Sequence, residues 1–487
     1  MVVKLQRPIL VGGLGLSFSL WILQSWHDSI IQLGEYSVLS LLLVGGGLLF
    51  LKQNRTKQDS HVLDSLPVDR ETVESAIAKA ETVINHLAGE AENHHALAAL
   101  REKIPQLYSE LDREEIHLAV TGGKSVGKTT LIEVLKSHWC PQLQKTVCLQ
   151  ETPSLFADAG EKSDAAALTQ AKATDFILFL TNGDLTDTEF QTIQQLQAEK
   201  HHLMLVFNKQ DQYLVDERAS ILLSLKQRMQ SHVVATSASP LPVKVRKHND
   251  DGSVQEWMEQ PAPEIQQLTQ QLGETLAQQG QQLVWATTMR KALLLKAEAK
   301  NYLNGVRCDR AHPVIEQYQW IAAAAAFANP VPALDILATT AINVQMIVDL
   351  GNIYQQKFSL EQAKTIAGEM GSLMLKLGLV ELSSKVIGTV LKSHAITYVA
   401  GGAVQGVSAA YLTRLAGLSL IEYFQQQEVA VNSATGFNVE KLGQTLQKVF
   451  QQNQQVVFWQ GFVKQGVKRL LPEVAEGELV GAEKAVG

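Results

Sequence analysis

Gly122, Gly127, Lys128 and Thr129 stand at the spacing G-x-x-x-x-G-K-[ST], within the run Gly122-Gly123-Lys124-Ser125-Val126-Gly127-Lys128-Thr129-Thr130. Residues of these types in this order can hold a chain of phosphates. Glycine carries no Cβ, so successive backbone N–H groups can close around phosphate oxygens. In such a loop the lysine, here Lys128, reaches the β- and γ-phosphates, and the hydroxyl of Thr129 binds Mg²⁺. The flanks suit the task. Ile116-His117-Leu118-Ala119-Val120 is an apolar run of strand length, and Leu131-Ile132-Glu133-Val134-Leu135 reads as a helix. The N-terminus of that helix adds the positive end of a dipole beside the phosphates.

A second group of polar residues narrows the base. About eighty residues on, Leu203-Met204-Leu205-Val206-Phe207 reads as a buried strand ending in Asn208-Lys209-Gln210-Asp211. A carboxylate at Asp211 accepts from both N1–H and the exocyclic amine of guanine. Adenine lacks that donor pair, and leaving a buried acceptor unpaired costs about 1–3 kcal/mol. The aliphatic stem of Lys209 can lie over the base. Val233-Val234-Ala235-Thr236 reads as a further strand, and the Ser237-Ala238 turn after it offers a backbone N–H to guanine O6. The expected ligands are therefore GTP and GDP with Mg²⁺.

The loop together with N-K-x-D resembles a regulatory GTPase. Residues of roughly 114–282 resemble a P-loop GTPase domain of the translation-factor-related group. Alternation of strand and helix, including Asp175–Leu180 and the helix around Phe190–Leu196, implies a mostly parallel, doubly wound α/β sheet. The G-G-x-S-x-G-K form of the loop resembles dynamin-like GTPases, in which a glutamine stands at the position of Lys124. A cation there reads in two ways. It is an in-cis catalytic finger near the bridging oxygen, or a solvated lysine that adds general attraction for phosphate.

The chain departs from the GTPase pattern at D-x-x-G. The strand Thr146–Gln150 runs into Glu151-Thr152-Pro153-Ser154, with Leu155 where a water-orienting glutamine is usual. Glu151 can still hold a Mg²⁺-bound water, being one methylene longer than aspartate. Only about twenty residues separate Thr129 from Glu151, which leaves little room for a first switch loop; Thr146 is a candidate Mg²⁺ ligand there by type alone. These departures predict slow hydrolysis.

The chain has 487 residues, a net charge of −7 and 19% charged residues, so it has no basic signature for a nucleic-acid partner. Cys140, Cys148 and Cys308 form no metal-binding spacing in the sequence and suggest a reducing compartment. Pro8–Trp26 contains no charged residue, and Ile30–Leu51 is a second apolar run of spanning length. Lys4 and Arg7 precede the pair, and Lys52, Arg55 and Lys57 follow it. Positive flanks on both sides predict a transmembrane hairpin with both ends in the cytoplasm. An A-x-A-like cleavage site for a signal peptide is missing, since the first alanine is Ala76. The expected location is a bacterial inner or other internal membrane, with the GTPase domain facing the cytoplasm and the lipid bilayer as a partner.

Val73, Ile77, Ala80, Ile84, Leu87 and Ala91 repeat at helical spacing. They make a short coiled-coil seam or a helix docked on the GTPase domain. His94 and His95 are adjacent, so on a helix they point apart as solvated residues. Val243–Arg246 and Val254–Trp257 flank an Asp-Gly turn and read as a β-hairpin before a helix that starts near Glu264.

The C-terminal half is helical and apolar. Pro330 and Pro332 break it after an alanine-rich stretch, and Asp335 is a candidate helix cap. The stretch Ala328-Asn329-Pro330-Val331-Pro332-Ala333-Leu334-Asp335, continued through Asn343 and Asp349, resembles the helical domain of unknown function in YcjF-like bacterial proteins, over about 314–424. Small residues such as Gly406 and Gly417 allow close helix contact, in a bundle at the membrane surface or in true spans. The expected layout is a membrane hairpin over 1–52, a linker and amphipathic helices over 53–113, and the GTPase domain over 114–282. The YcjF-like helical domain follows over 283–430, then an amphipathic helix and tail over 431–487. Two roles fit this layout. One is a slow GTPase switch or membrane-organising factor, which predicts homo-oligomers. The other is a GTP-binding scaffold whose helical half binds a protein partner.

Overall fold

The computed structural model describes residues 68–143, 145–156, 161–229, 233–248, 254–328, 332–392, 400–427, 437–452 and 456–470. The expected transmembrane hairpin lies outside these residues. In chain order come α1 (Arg70–Glu90), α2 (Leu97–Leu111), β1 (Ile116–Gly122), α3 (Lys128–His138), β2 (Val147–Glu151), α4 (Glu161–Lys172), β3 (Phe176–Thr181), α5 (Asp187–Ala198), β4 (Leu203–Phe207), α6 (Val215–Arg228) and β5 (Val233–Ala235). They are followed by β6 (Val243–His248), β7 (Val254–Glu259), α7 (Gln266–Ala328), α8 (Pro332–Ile353), α9 (Leu360–Lys376), α10 (Leu379–Lys392), α11 (Ala400–Gln426), α12 (Val439–Gln452) and α13 (Val456–Leu470).

β3 and β4 are apolar at nearly every position and buried along their whole length. That is the pattern of strands covered on both faces by helices. The sheet is parallel, in the order β2-β1-β3-β4-β5. Parallel strands joined by helices leave the loops after their C-terminal ends on one edge, where open α/β sheets bind ligands. The phosphate loop follows β1, and the Asn208 segment follows β4. β2 starts at Val147 and extends to Glu151, one residue beyond the expected strand, because Glu151 pairs in register with Val120. The expected hairpin is present as the antiparallel pair β6–β7. Glu264 bridges Ser237 through two backbone hydrogen bonds of 2.8 and 3.0 Å, so the next helix starts at Gln266.

The 63-residue α7 spans about 95 Å at 1.5 Å per residue and runs without a break past residue 283. Its side chains enter three cores in succession. Leu268, Leu272, Leu276, Leu283 and Val284 pack under the sheet. Ala292, Leu295, Ala299 and Leu303 pack against α1 and α2. Ala311, Ile315 and Ala323 enter the bundle of α8 to α13. The seam of Val73, Ile77, Ala80, Ile84 and Leu87 is buried as expected, but its partners are α2 and the middle of α7 rather than the GTPase-like domain. The reason is competition: α7 already covers the adjacent face of the sheet. At the end of α1, Glu90 accepts from Arg307 Nε (2.9 Å) and Nη2 (2.7 Å), from Gln355 Nε2 (3.0 Å) and from Arg310. This carboxylate joins α1, α7 and the turn after α8.

Two further expectations change, and one alternative is decided. His94 and His95 sit in the turn between α1 and α2, where their rings stack at 4.4 Å and pack on Tyr302 at 5.1 and 5.8 Å. Asp335 does not precede a helix, because it falls within α8 (Pro332–Ile353). Among the described residues no helix is long and apolar enough to cross a membrane. The apolar helices of the C-terminal half form a bundle instead, with α7 and α11 in close contact. A Cβ on Gly417 would lie 2.6 Å from Ile315 Cγ1.

Candidate functional site

The site is built at the C-terminal edge of the sheet. Gly122 ends β1 with φ +142°, and a Cβ there would meet Leu180 O of β3 at 2.3 Å. Only glycine lets the loop leave the sheet so close to the neighbouring strand. Gly127 precedes α3 with φ +92°, and a Cβ there would lie 2.4 Å from Asn208 Nδ2. The two glycines thus serve different ends. The first clears β3, and the second lets the loop touch the segment after β4.

Lys128 is buried, and its Nζ donates to Gly122 O (3.1 Å), Gly123 O (2.8 Å) and Ser154 Oγ (3.0 Å). Burial pushes this ammonium below its ordinary value, and the Glu151 carboxylate opposes the shift. Thr129 Oγ1 and Glu151 are brought together, with 2.9 Å to each carboxylate oxygen. A hydroxyl beside a carboxylate is a hard oxygen pair, and it fits Mg²⁺. Thr146 does not join them. It precedes β2, where its carbonyl accepts from Ile116 N, and β2 runs parallel to β1. It therefore lies at the end of the sheet opposite the loop. Lys124 and Ser125 are exposed on the loop, Val126 is buried, and Thr130 lies in the first turn of α3.

The base-side residues converge as well. Asn208 is buried, and its Nδ2 donates to Val126 O at 2.9 Å. Its Oδ1 accepts from Ala238 N (3.2 Å) and Thr236 Oγ1 (3.2 Å). Lys209 adopts φ +61°, which turns the chain so that Asp211 faces the Ser237–Ala238 turn. Asp211 accepts from Ser237 Oγ and, at 3.0 Å, from Leu241 N. One carboxylate is thereby held by two donors from the next loop.

Sequence reasoning missed two contributors. Ser154 Oγ accepts from Lys128, so the residue in place of the usual glycine touches the lysine of the loop. Leu155 is fully buried, and its N–H donates to Gly122 O at 3.1 Å. Neither contact has a sequence signal, because both depend on the parallel pairing of Gly123 with Leu155. The Arg113–Asp175 pair, at 2.8 and 2.9 Å, is also illegible in sequence. It locks the chain after α2 to the start of β3, and Asp175 also accepts from His117 N at 2.8 Å.

Residues 294–455 match the family described as a domain of unknown function, DUF697. That stretch of the helical half is a DUF697 domain. The match begins within α7, at the level of the α1–α2 contact, and covers α8 to α12. The chain thus joins a P-loop G-domain fold to DUF697. No curated protein matches the chain. Among solved structures it is similar to the G domain of the T. maritima FeoB iron transporter, at 18% identity, over 26% of this chain and 88% of that one, with a TM-score of 0.20. It is also similar to LeoA, a bacterial dynamin GTPase from ETEC, at 10% identity, over 82% of this chain and 98% of that one, with a TM-score of 0.24. A LAO/AO transport system kinase is similar at 12% identity, over 56% of this chain and 97% of that one, with a TM-score of 0.26. The fold assignment rests on the sheet order and the loop geometry.

Proposed function

We propose that this protein binds GTP and GDP with Mg²⁺ and works as a slow GTPase switch at a membrane. One observation carries the guanine reading. Asp211 is aimed by Ser237 and Leu241, and the adjacent Asn208 is hydrogen-bonded to the phosphate loop. In this reading Gly122, Gly123, Lys124, Ser125, Val126, Gly127, Lys128, Thr129 and Thr130 surround the phosphates. Asn208, Lys209, Asp211, Ser237 and Ala238 surround the base, and Thr129 with Glu151 holds Mg²⁺. Phosphate oxygens take the place of the loop carbonyls as partners of Lys128 Nζ. Isothermal titration with GTP, GDP and ATP tests this. Tight GTP and GDP binding with weak ATP binding is expected, and equal or tighter ATP binding would overturn it.

Slow turnover follows from Leu155. An apolar side chain sealed in the core cannot orient a water, so electrostatic stabilisation falls to Mg²⁺, Lys128 and the exposed Lys124. The same burial favours a second reading, a GTP-binding scaffold that hydrolyses little. Turnover measured with and without liposomes separates the two. A membrane effect on rate supports the switch, and negligible turnover in both supports the scaffold.

The mechanical side of the reading rests on α7. Thr287 Oγ1 donates to Thr174 O just before β3, and the same helix enters the DUF697 bundle at Ala311. A change at the sheet is thus delivered along one rigid element. Membrane anchoring rests on the two apolar runs within 8–51. Carbonate extraction of the full chain tests it, with retention in the membrane pellet expected. Release into the supernatant would overturn it.

A further inference from the structure

The geometry points to a transition-metal site at the edge of the sheet away from the phosphate loop, held by Glu115, His117 and Cys148 and suited to Zn²⁺. His117 and Cys148 are register partners on the parallel strands β1 and β2. Paired residues of neighbouring strands project to the same face of a sheet. Glu115 precedes His117 by two residues in the extended lead-in to β1, so strand alternation places it on that face too. One ligand atom from each of the three lies within 4.8 Å of the other two.

The spacing suits a small cation. His117 Nε2 and Glu115 Oε2 are 3.4 Å apart. Two ligands bound to Zn²⁺ at 2.0–2.1 Å with a tetrahedral angle stand about 3.3 Å apart. The sulfur needs only a modest approach, and Cys148 is exposed and can rotate. One nitrogen, one sulfur and one carboxylate oxygen form a donor set of intermediate softness, which favours Zn²⁺ over Mg²⁺ or Ca²⁺. Three protein ligands leave the fourth position to water. Ligation releases the proton of the Cys148 thiol to solvent, so affinity rises with pH.

The neighbourhood supports the donors. The backbone N–H of His117 is held by Asp175, which fixes β1 at that residue. Arg113, two residues before Glu115, is engaged by Asp175 and by the carbonyl of Glu115, so its charge is partly compensated. This site is separate from the proposed Mg²⁺ pair of Thr129 and Glu151, which stands at the other end of the same two strands.

The test uses the full-length chain with cobalt chloride or zinc chloride as the probe. Co²⁺ is expected to give a thiolate-to-metal charge-transfer band in the near ultraviolet that saturates at one equivalent. Added Zn²⁺ should abolish it. Cys148→Ser should remove the band, and His117→Ala should weaken Zn²⁺ binding by at least about tenfold, the size of effect that even an outer-shell partner has. Cys140→Ser and Cys308→Ser should leave the band intact. Circular dichroism confirms that each variant is folded; Cys148→Ser at an exposed position is expected to melt like the parent. Absence of the band in the parent protein, or its survival in folded Cys148→Ser, would overturn the assignment.

Discussion

Asn208 donates to Val126 O at 2.9 Å, and this bond joins the phosphate loop to the base-side segment across 82 residues of sequence. The same carboxamide accepts from Ala238 N, so the loop, the end of β4 and the turn after β5 share one side chain. Asn208→Ala leaves buried groups unpaired on both sides, at about 1–3 kcal/mol. Affinity for GTP and GDP is expected to fall together, by about ten- to a hundredfold, in isothermal titration. A change confined to one of the two nucleotides would contradict the bridging role.

Asp211→Asn reverses the hydrogen-bonding sense at the base, because an amide can donate where the carboxylate only accepts. Preference should shift from guanine toward xanthine nucleotides. Competition titration with GTP and XTP measures it, and an unchanged GTP preference would remove Asp211 from the base pocket.

Lys128 and Lys124 should separate in kinetics. Lys128 is buried at the loop and Lys124 is exposed on it. Lys128→Ala is expected to weaken GTP and GDP binding together. If Lys124 acts as an in-cis finger, Lys124→Ala leaves affinity nearly unchanged and slows turnover about tenfold or more, ~1.4 kcal/mol of transition-state stabilisation. Unchanged turnover in a variant that still binds GTP returns Lys124 to a solvated charge.

Asp175 is fully buried and takes both Arg113 nitrogens and the His117 N–H. Asp175→Ala strands a half-buried guanidinium, and removing one partner of a buried pair costs about 3–5 kcal/mol. The melting temperature should drop by several degrees. Asp175→Asn, which keeps the shape and the acceptor for His117 N–H, should cost less.

Protonation of His201 opposes folding. Burial pushes its imidazole from 6.5 down to about 4, with Arg290 adding to the shift. The unfolded chain therefore takes up the proton first as pH falls. The contribution of neutral His201 to stability is present above pH 6.5 and is lost progressively between there and about pH 4. Melting temperatures across that window should fall more steeply for the parent than for His201→Gln; parallel curves would rule His201 out as the source. His202 shifts in the same direction through burial, so some slope remains in the variant.

The sequence by itself determined which segments become strands and where the candidate phosphate loop and the Asn208 segment lie. Gly122, Gly127, Lys128 and Asn208 sit next to apolar runs, and local chemistry allows few other conformations there. A phosphate loop is made of consecutive residues, so spacing alone reveals it. The same holds for the β6–β7 hairpin, whose turn residues and alternation are local. What only the tertiary structure decided is every relation that depends on strand order or on a shared partner. β2 pairs beside β1, and that single fact brings Ser154 to Lys128, Glu151 to Thr129, and Cys148 to His117 and Glu115. The seam on α1 was legible as apolar, but its partner was not, because one stripe can bury against any complementary surface. The length of α7 decided the matter: an uninterrupted helix offers the sheet, α1 and the bundle one continuous face, and burial of that face sets where each of them docks.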